Sequence, residues 1–374
     1  PRIDFARVNA HVRQAIATIA PNDSVERYEG MGFRVIRATG RFVDPRTVEA
    51  GDAKIRARRF VVATGARPFI PPVPGLDTVP YLTNETVFDL STLPARLIVL
   101  GGGPVGCELA QAFRRLGAEV RLVEMQSILP KDDPEAVEVV RQRLRAEGIA
   151  LYEEAKATRV EAVGDGLRLS IETRDGERTI DGSHLLVAAG RRARVEGLGL
   201  DAAGIAHRPD GITVDSRLRT SNRRVYAIGD VTGGLQFTHV GAHHAAVVIR
   251  NALFRLPAKV ESAALPWVTY TDPELAQVGL GEEAARARHR RIRVLRAAFA
   301  ENDRGVTGRN RDGFVKAITD RRGRILGATI VGPHAGELIQ PWILAIRSGL
   351  RIGALAAMVA PYPTFGETSQ RAAG

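Results

Sequence analysis

Cysteine is nearly absent from this chain of 374 residues: there is one, Cys107. A lone thiol closes no intramolecular disulfide and makes no metal site, so disulfide scaffolds and cysteine–zinc folds are excluded. Such usage fits a reducing compartment, and the cytoplasm is the expected location. Lysine is scarce too, and almost all of the formal charge of +11 is carried by arginine. Aromatic residues make up only 5%. None interleaves with the densest arginine cluster, Arg286, Arg288, Arg290, Arg291 and Arg293. Base stacking therefore has no support, and nucleic acid is not an expected partner. No run approaches the eighteen or so apolar residues of a membrane span, so no membrane partner is expected. The hydrophobic content of 44% and charged content of 25% are those of a globular chain. The length accommodates two or three domains.

Residues 97–124 are laid out as the opening β-α-β of a dinucleotide-binding domain. Leu97-Ile98-Val99-Leu100 reads as a buried strand and Gly101-Gly102-Gly103-Pro104-Val105-Gly106 as a turn. A helix follows through Arg115, then a second strand from Val120 to Val123, ending on Glu124. The glycines divide the work of the turn between them. Gly101 makes the tight bend, Gly103 admits a pyrophosphate, and Gly106 packs helix on sheet. The helix N-terminus offers N–H groups and positive dipole to the phosphates. Glu124 stands about twenty residues on, where an acid hydrogen-bonds a ribose 2′-hydroxyl and repels a 2′-phosphate, so NAD(H) is favoured over NADP(H). Cys107 follows the last glycine. A helix N-terminus lowers a thiol pKa, but a small buried packing residue is the favoured reading.

Elsewhere strand and helix signals alternate, as in α/β folds. Residues 4–20 have helical spacing, and 34–36, 41–43 and 47–49 read as strands of a meander. Residues 59–63 form a buried strand leading into Thr64-Gly65-Ala66, and Pro71-Pro72-Val73-Pro74-Gly75 reads as a linker. A helix is expected over 133–147, with strands around Val160, Leu167 and Ile171. Residues 185–190 repeat the strand-to-glycine pattern and end on Gly190; 225–230 repeat it again and end on Gly229-Asp230. A histidine-rich helix follows. His239 and His243, four apart, could bind zinc, but no third ligand accompanies them and no metal is expected. From Leu265 onward, 267–270, 313–318 and 325–331 read as an antiparallel sheet, with helices over 335–350 and 352–359.

Together these motifs resemble the flavoprotein pyridine nucleotide-disulfide oxidoreductases, the group of dihydrolipoamide dehydrogenase, glutathione reductase and mercuric reductase. The likeness runs from Phe5 nearly to the end. It implies that Thr64, Gly65 and Ala66 end beside FAD and that Gly101 to Glu108 is the NAD loop, with Glu108 near the nicotinamide. Gly190 matches a second glycine turn facing NAD. Asp230 matches an acid that hydrogen-bonds a ribityl hydroxyl, and Gln236, Phe237, Thr238 and His239 fall where backbone N–H groups approach the flavin. The segment from Leu265 to Glu274 opens a dimer-forming domain, and Tyr362-Pro363-Thr364 is nearest to mercuric reductase-like members. The implied fold is α/β, with two Rossmann-like domains for FAD and NAD(P) and a C-terminal α+β dimerisation domain. Its expected boundaries are 1–84 and 200–258 for an incomplete FAD domain, 85–199 for the NAD domain, and 259–374 for the dimerisation domain.

Two departures qualify the resemblance. The family opens with a strand, a first GxGxxG for the FAD pyrophosphate and a Cys-x4-Cys redox pair, none of which is here. On the order of a hundred residues, about one small domain, are therefore expected to precede Pro1. Second, dihydrolipoamide dehydrogenases use a histidine acid/base with an acid five residues on; the aligned residues are Tyr362 and Glu367. A phenol of pKa near 10 is a poor base at neutral pH, so dithiol chemistry loses support relative to a soft metal or other small acceptor. Tyr362 reads equally as a packing aromatic at a dimer interface. The implied activity is transfer of electrons from NADH through FAD to a disulfide, metal ion or other small acceptor, in a homodimer where Tyr362 and Glu367 reach the partner's site. The alternative is an inactive fragment, or a dimeric NAD-binding module without stable flavin. A plain one-domain NAD dehydrogenase would leave Gly229-Asp230 and the C-terminal sheet unexplained.

Overall fold

The computed structural model describes residues 3–374, which divide into two compact units. The first comprises the chain up to Phe69, Phe88–Thr92 and Gly190–Val260. Its first helix, Phe5–Ile19, is capped by the Asp4 carboxylate, which accepts from the Arg7 N–H, and none of its residues is buried. An antiparallel meander follows, Gly40–Asp44, Thr47–Ala50 and Ala53–Arg56. This corrects the expected strand at 34–36, which is irregular and begins on an exposed arginine. The third strand instead lies beyond a two-residue turn, Gly51-Asp52, whose glycine has φ +58°. Gly-Asp between two short apolar runs is a hairpin signal.

The remaining sheets of this unit are pairs. Phe60–Val62 runs parallel to Val225–Ala227, and Ala66–Pro68 antiparallel to Arg191–Ala193. Their core gathers Phe42, Val62, Ala193, Leu200, Ile205, Ile212, Val225 and Ala227. Within the strand Phe60–Val62 the pleat puts Val62 inside, while Val61 is 48% exposed.

In the second unit a parallel sheet is built from β1 (Arg96–Leu100), β2 (Glu119–Val123), β3 (Ala150–Tyr152) and, beyond a three-stranded antiparallel layer, β7 (His184–Val187). That layer is β4 (Lys156–Val163), β5 (Gly166–Thr173) and β6 (Gly176–Gly182), the last unforeseen. The parallel order is β7-β1-β2-β3. Leu97, Ile98 and Val99 are wholly buried, which is why β1 reads as an unbroken apolar run rather than an alternation. Helix α1 (Pro104–Leu116) joins β1 to β2, and α2 (Pro134–Ala146) joins β2 to β3. The proline-rich stretch is packed rather than loose: the Val160 N–H donates to Pro74 O, and Leu76 is buried.

The C-terminal segment forms an antiparallel sheet of β8 (Pro266–Thr269), β9 (Glu274–Gly279), β10 (Ile292–Ala298), β11 (Phe314–Asp320) and β12 (Ile325–Gly332), in the order β8-β9-β12-β11-β10. Register aligns Trp267, Gln277, Thr329, Lys316 and Arg296 in one row across it. The start of α2 docks on this row. Trp267 Nε1 donates to Asp132, Lys316 Nζ bridges Asp133 and Glu135, and Arg296 reaches Glu135. The helix expected over 335–350 is two, Ala335–Leu338 and Gln340–Arg347, because Pro341 in the first turn of the second cannot donate back. The expected helix over 352–359 is shorter, Ile352–Ala356, and a final helix, Gly366–Ala373, was not foreseen. The α/β class with a C-terminal α+β sheet is thus observed.

Candidate functional site

The glycine loop has the geometry its composition requires. Gly101 has φ +114°, and a Cβ there would stand 2.3 Å from Ala188 O. A Cβ on Gly106 would stand 1.9 Å from Gly101 O, so the close crossing of helix over turn admits only glycine. Around Gly103, by contrast, nothing lies within 4 Å of that position, which is the clearance a pyrophosphate needs. Gly103 is the N-cap of α1 and supplies no side chain, and Pro104 and Val105 form the first turn. Glu124 folds back on the loop: the Gly102 N–H donates to its Oε2 at 2.6 Å and the Gln126 N–H to its Oε1 at 2.9 Å. Cys107 is wholly buried, its Sγ donating to Gly102 O at 3.3 Å. Burial above all, then Glu108, pushes its pKa up. The thiol is a packing group.

One face of α1 continues the site. The Tyr270 N–H donates to Glu108 Oε1 at 2.8 Å. Burial raises the Glu108 pKa, and this hydrogen bond works against the rise. One helical step on, Gln111 clasps the Asp272 backbone with both ends of its amide, Nε2 to O at 2.8 Å and Oε1 from N at 2.7 Å. One turn further, Arg115 donates to Asp272 Oδ2 at 2.7 Å and to Glu147. The sequence reading missed Gln111, Arg115 and Asp272, although 108, 111 and 115 share a helix face.

In the first unit, Thr64, Gly65, Ala66, Gly190 and Asp230 come together. Thr64 Oγ1 donates to Arg194 O at 2.9 Å, the Arg194 N–H to Gly65 O at 3.0 Å, and the Phe69 N–H to Gly190 O at 2.9 Å. Arg191, also missed, ties the cluster: its Nη2 reaches both Ala66 O and Asp230 Oδ2 at 3.2 Å. Asp230 follows Gly229, whose N–H donates to His244 Nδ1 at 3.2 Å. Burial, then the neighbouring His243, lowers the His244 pKa, which keeps that ring a neutral acceptor. Among the described residues no group of three or more His, Cys, Asp or Glu is placed to hold a metal ion. Gln236 lies in the loop before helix Thr238–Ala252, whose N-cap Phe237 stacks on His239 with ring centroids 5.5 Å apart.

Tyr362 and Glu367 do not pair with each other. The Tyr362 hydroxyl, on a side chain 71% exposed, donates to Asp303 Oδ2 at 2.9 Å, and Glu367 Oε2 accepts from the Thr364 N–H at 3.0 Å. The hydrogen bond to Asp303, with Glu367 adding, raises the phenol pKa, so Tyr362 stays protonated. Asp303 has no sequence signal, being 59 residues from Tyr362.

Comparison with known proteins agrees with this layout. Residues 6–245 match the family model for pyridine nucleotide-disulphide oxidoreductases, and 265–373 match that family's dimerisation domain. Mercuric reductase of Bacillus cereus is 36% identical over 98% of this chain, which spans 58% of that relative's length. Dihydrolipoyl dehydrogenase of Thermus scotoductus is 34% identical over 100% of this chain and 81% of its own. The crystal structure of LpdA from Mycobacterium tuberculosis superposes with a TM-score of 0.90 at 30% identity, covering 100% of this chain and 83% of that one. Among the described residues no helix is long and apolar enough to cross a membrane. The family is FAD-dependent and works with NAD(P)H. The chain belongs to the pyridine nucleotide-disulphide oxidoreductase family.

Proposed function

We propose that this chain forms the NADH-binding and dimer-forming parts of an FAD-dependent oxidoreductase whose acceptor is a metal ion, a disulfide or another small molecule. The carrying observation is the loop Gly101 to Gly106 with Glu124 folded onto it. Open space at Gly103 and the N-terminus of α1 fit a pyrophosphate. The Glu124 carboxylate fits a ribose with a free 2′-hydroxyl and repels a 2′-phosphate, so NADH is preferred to NADPH. Thr64, Gly65, Ala66, Asp230 and the segment 236–239 would meet the flavin, with Arg191 and His244 holding the Asp230 turn. When bound, nicotinamide and flavin supply the hydride and electron transfer, and the protein supplies alignment. The proposed boundaries are 1–84 and 200–258 for the FAD domain, 85–199 for the NAD domain and 259–374 for the interface. Gly190 is assigned to the turn that faces the nucleotide.

Tyr362 and Glu367 are assigned to the acceptor site of a partner subunit in a homodimer. A phenol held protonated by Asp303 is a hydrogen-bond donor, not a base, which favours a soft metal ion over a dithiol. A chain with one cysteine suits the reducing cytoplasm. The experiment is to purify the protein as its own source cells make it, with excess FAD, and follow flavin absorbance as NADH is added, with Hg(II) or lipoamide as acceptor. Bound flavin bleached by NADH and reoxidised by Hg(II) is expected; bleaching followed by reoxidation with lipoamide alone would reverse the acceptor assignment. A second reading, a dimeric NAD-binding module without stable flavin, draws on the exposed Val61 and the helix Phe5–Ile19 with no buried residue. No retained flavin absorbance would favour it.

A further inference from the structure

We propose that Gln111 is a positioning residue for Glu108: by clasping the Asp272 backbone it holds the Tyr270 N–H on the Glu108 carboxylate, and so sets where that acid stands beside a nicotinamide. The inference rests on the nucleotide reading above, which places Glu108 at the nicotinamide end of the loop. Its geometry is that of two hydrogen-bonded points on one rigid helix. Glu108 and Gln111 lie one helical step apart on α1, and Tyr270 and Asp272 are two residues apart in the turn from β8 to β9. Both Gln111 contacts, 2.8 and 2.7 Å, are made to main-chain atoms of Asp272, so they fix the path of the backbone rather than a mobile side chain. The Tyr270 side chain is 68% exposed, and its ring does little to anchor the turn. Arg115 adds a third rung through the Asp272 carboxylate. Without the Gln111 amide, the Tyr270 N–H is free to leave Glu108, and the half-buried carboxylate loses that donor. The adenosine half of the nucleotide, held by the glycine loop and Glu124, is untouched by this change.

The test separates the two halves of the ligand. Binding of NADH and of ADP-ribose, which lacks the nicotinamide, is measured by calorimetry on the full chain for wild type, Gln111→Met, Glu108→Gln and the double variant. In Gln111→Met, NADH is expected to bind about three- to tenfold more weakly, the effect of one hydrogen bond, with ADP-ribose unchanged. Glu108→Gln should show the same split, and the double variant should be no weaker than Glu108→Gln alone, because both act on one group. Equal weakening of both ligands in Gln111→Met, as general loosening of the helix would produce, overturns the inference. So does no weakening of either ligand, or additivity in the double variant. A wild type that binds neither ligand overturns the nucleotide reading itself, and this inference with it.

Discussion

The glycine loop after β1 and the cluster of Thr64 to Ala66 with Asp230 are both strand-to-glycine turns, yet they are supported in opposite ways. Around Gly101 to Gly106 the supports are local and dense. β1 is buried on both faces, the helix crosses the turn at a distance only glycine allows, and Glu124 returns to bind the loop's own N–H. Around Thr64 to Ala66 the supports are sparse. The strand has one parallel partner, one of its faces is open at Val61, and a single guanidinium, Arg191, ties Ala66 to Asp230. The first site is built mainly within its β-α-β unit, with Ala188 and the turn at Tyr270 and Asp272 added from outside it. The second is assembled from segments distant in sequence, joined by main-chain bonds from Arg194 to Gly65 and from Phe69 to Gly190 and by the Arg191 side chain.

Substitutions can break or sharpen this contrast. The largest effect is expected where α2 docks on the C-terminal sheet. Lys316 is 4% exposed and bridges Asp133 and Glu135. Lys316→Met leaves the buried Asp133 carboxylate uncompensated and should cost about 3–5 kcal/mol in urea unfolding. A loss below about 1 kcal/mol would show the junction to be no stronger than the surface pairs of the first unit.

The same junction should give a pH signature. Burial, opposed by the Trp267 Nε1–H, pushes the Asp132 carboxyl up to about 6. Because the folded-state pKa is raised, the fold favours the protonated acid. Its contribution is fully present below about pH 4 and is lost as pH rises through about 6, by about 2–3 kcal/mol. Subtracting the stability profile of Asp132→Asn from that of wild type should isolate this fall. A flat difference between pH 4 and 7 contradicts it.

A paired substitution tests the two turns directly. Gly106→Ala forces a Cβ against Gly101 O and should cost about 1–3 kcal/mol by overpacking, with loss of NADH binding. Gly65→Ala meets nothing within 4 Å and carries only the strain of φ +69°, about 1 kcal/mol. Equal losses would remove the distinction. The smallest effect is expected at the exposed end of the dimerisation segment. Tyr362→Phe removes only the hydrogen bond to Asp303, and should leave the melting temperature unchanged while lowering turnover of a metal acceptor. A melting temperature that falls would make Tyr362 a structural residue.

What the sequence made legible follows the same division. The stretch from β1 to Glu124 could be read because turn chemistry, apolar run and acid all fall within one supersecondary unit. Three strands of the C-terminal sheet, β8, β11 and β12, were legible as short apolar runs, although β9 and the buried row of Gln277, Thr329 and Lys316 were not. The contacts that complete each site were illegible because chain folding alone brings them together. Arg191 and Asp230 are 39 residues apart, Tyr362 and Asp303 are 59, and Gln111 and Asp272 are 161. The missed strand Ala53–Arg56 is different. Its Gly51-Asp52 turn was in plain view, and the more apolar 34–36 drew the assignment instead.

The most direct test of the central claim compares NADH with NADPH in one calorimetric titration of the full chain. On the role proposed for Glu124, NADH should bind at least about tenfold more tightly, a difference of about 1.4 kcal/mol. Equal affinity, or tighter binding of NADPH, would contradict the role assigned to Glu124 and the account of the nucleotide site built on it.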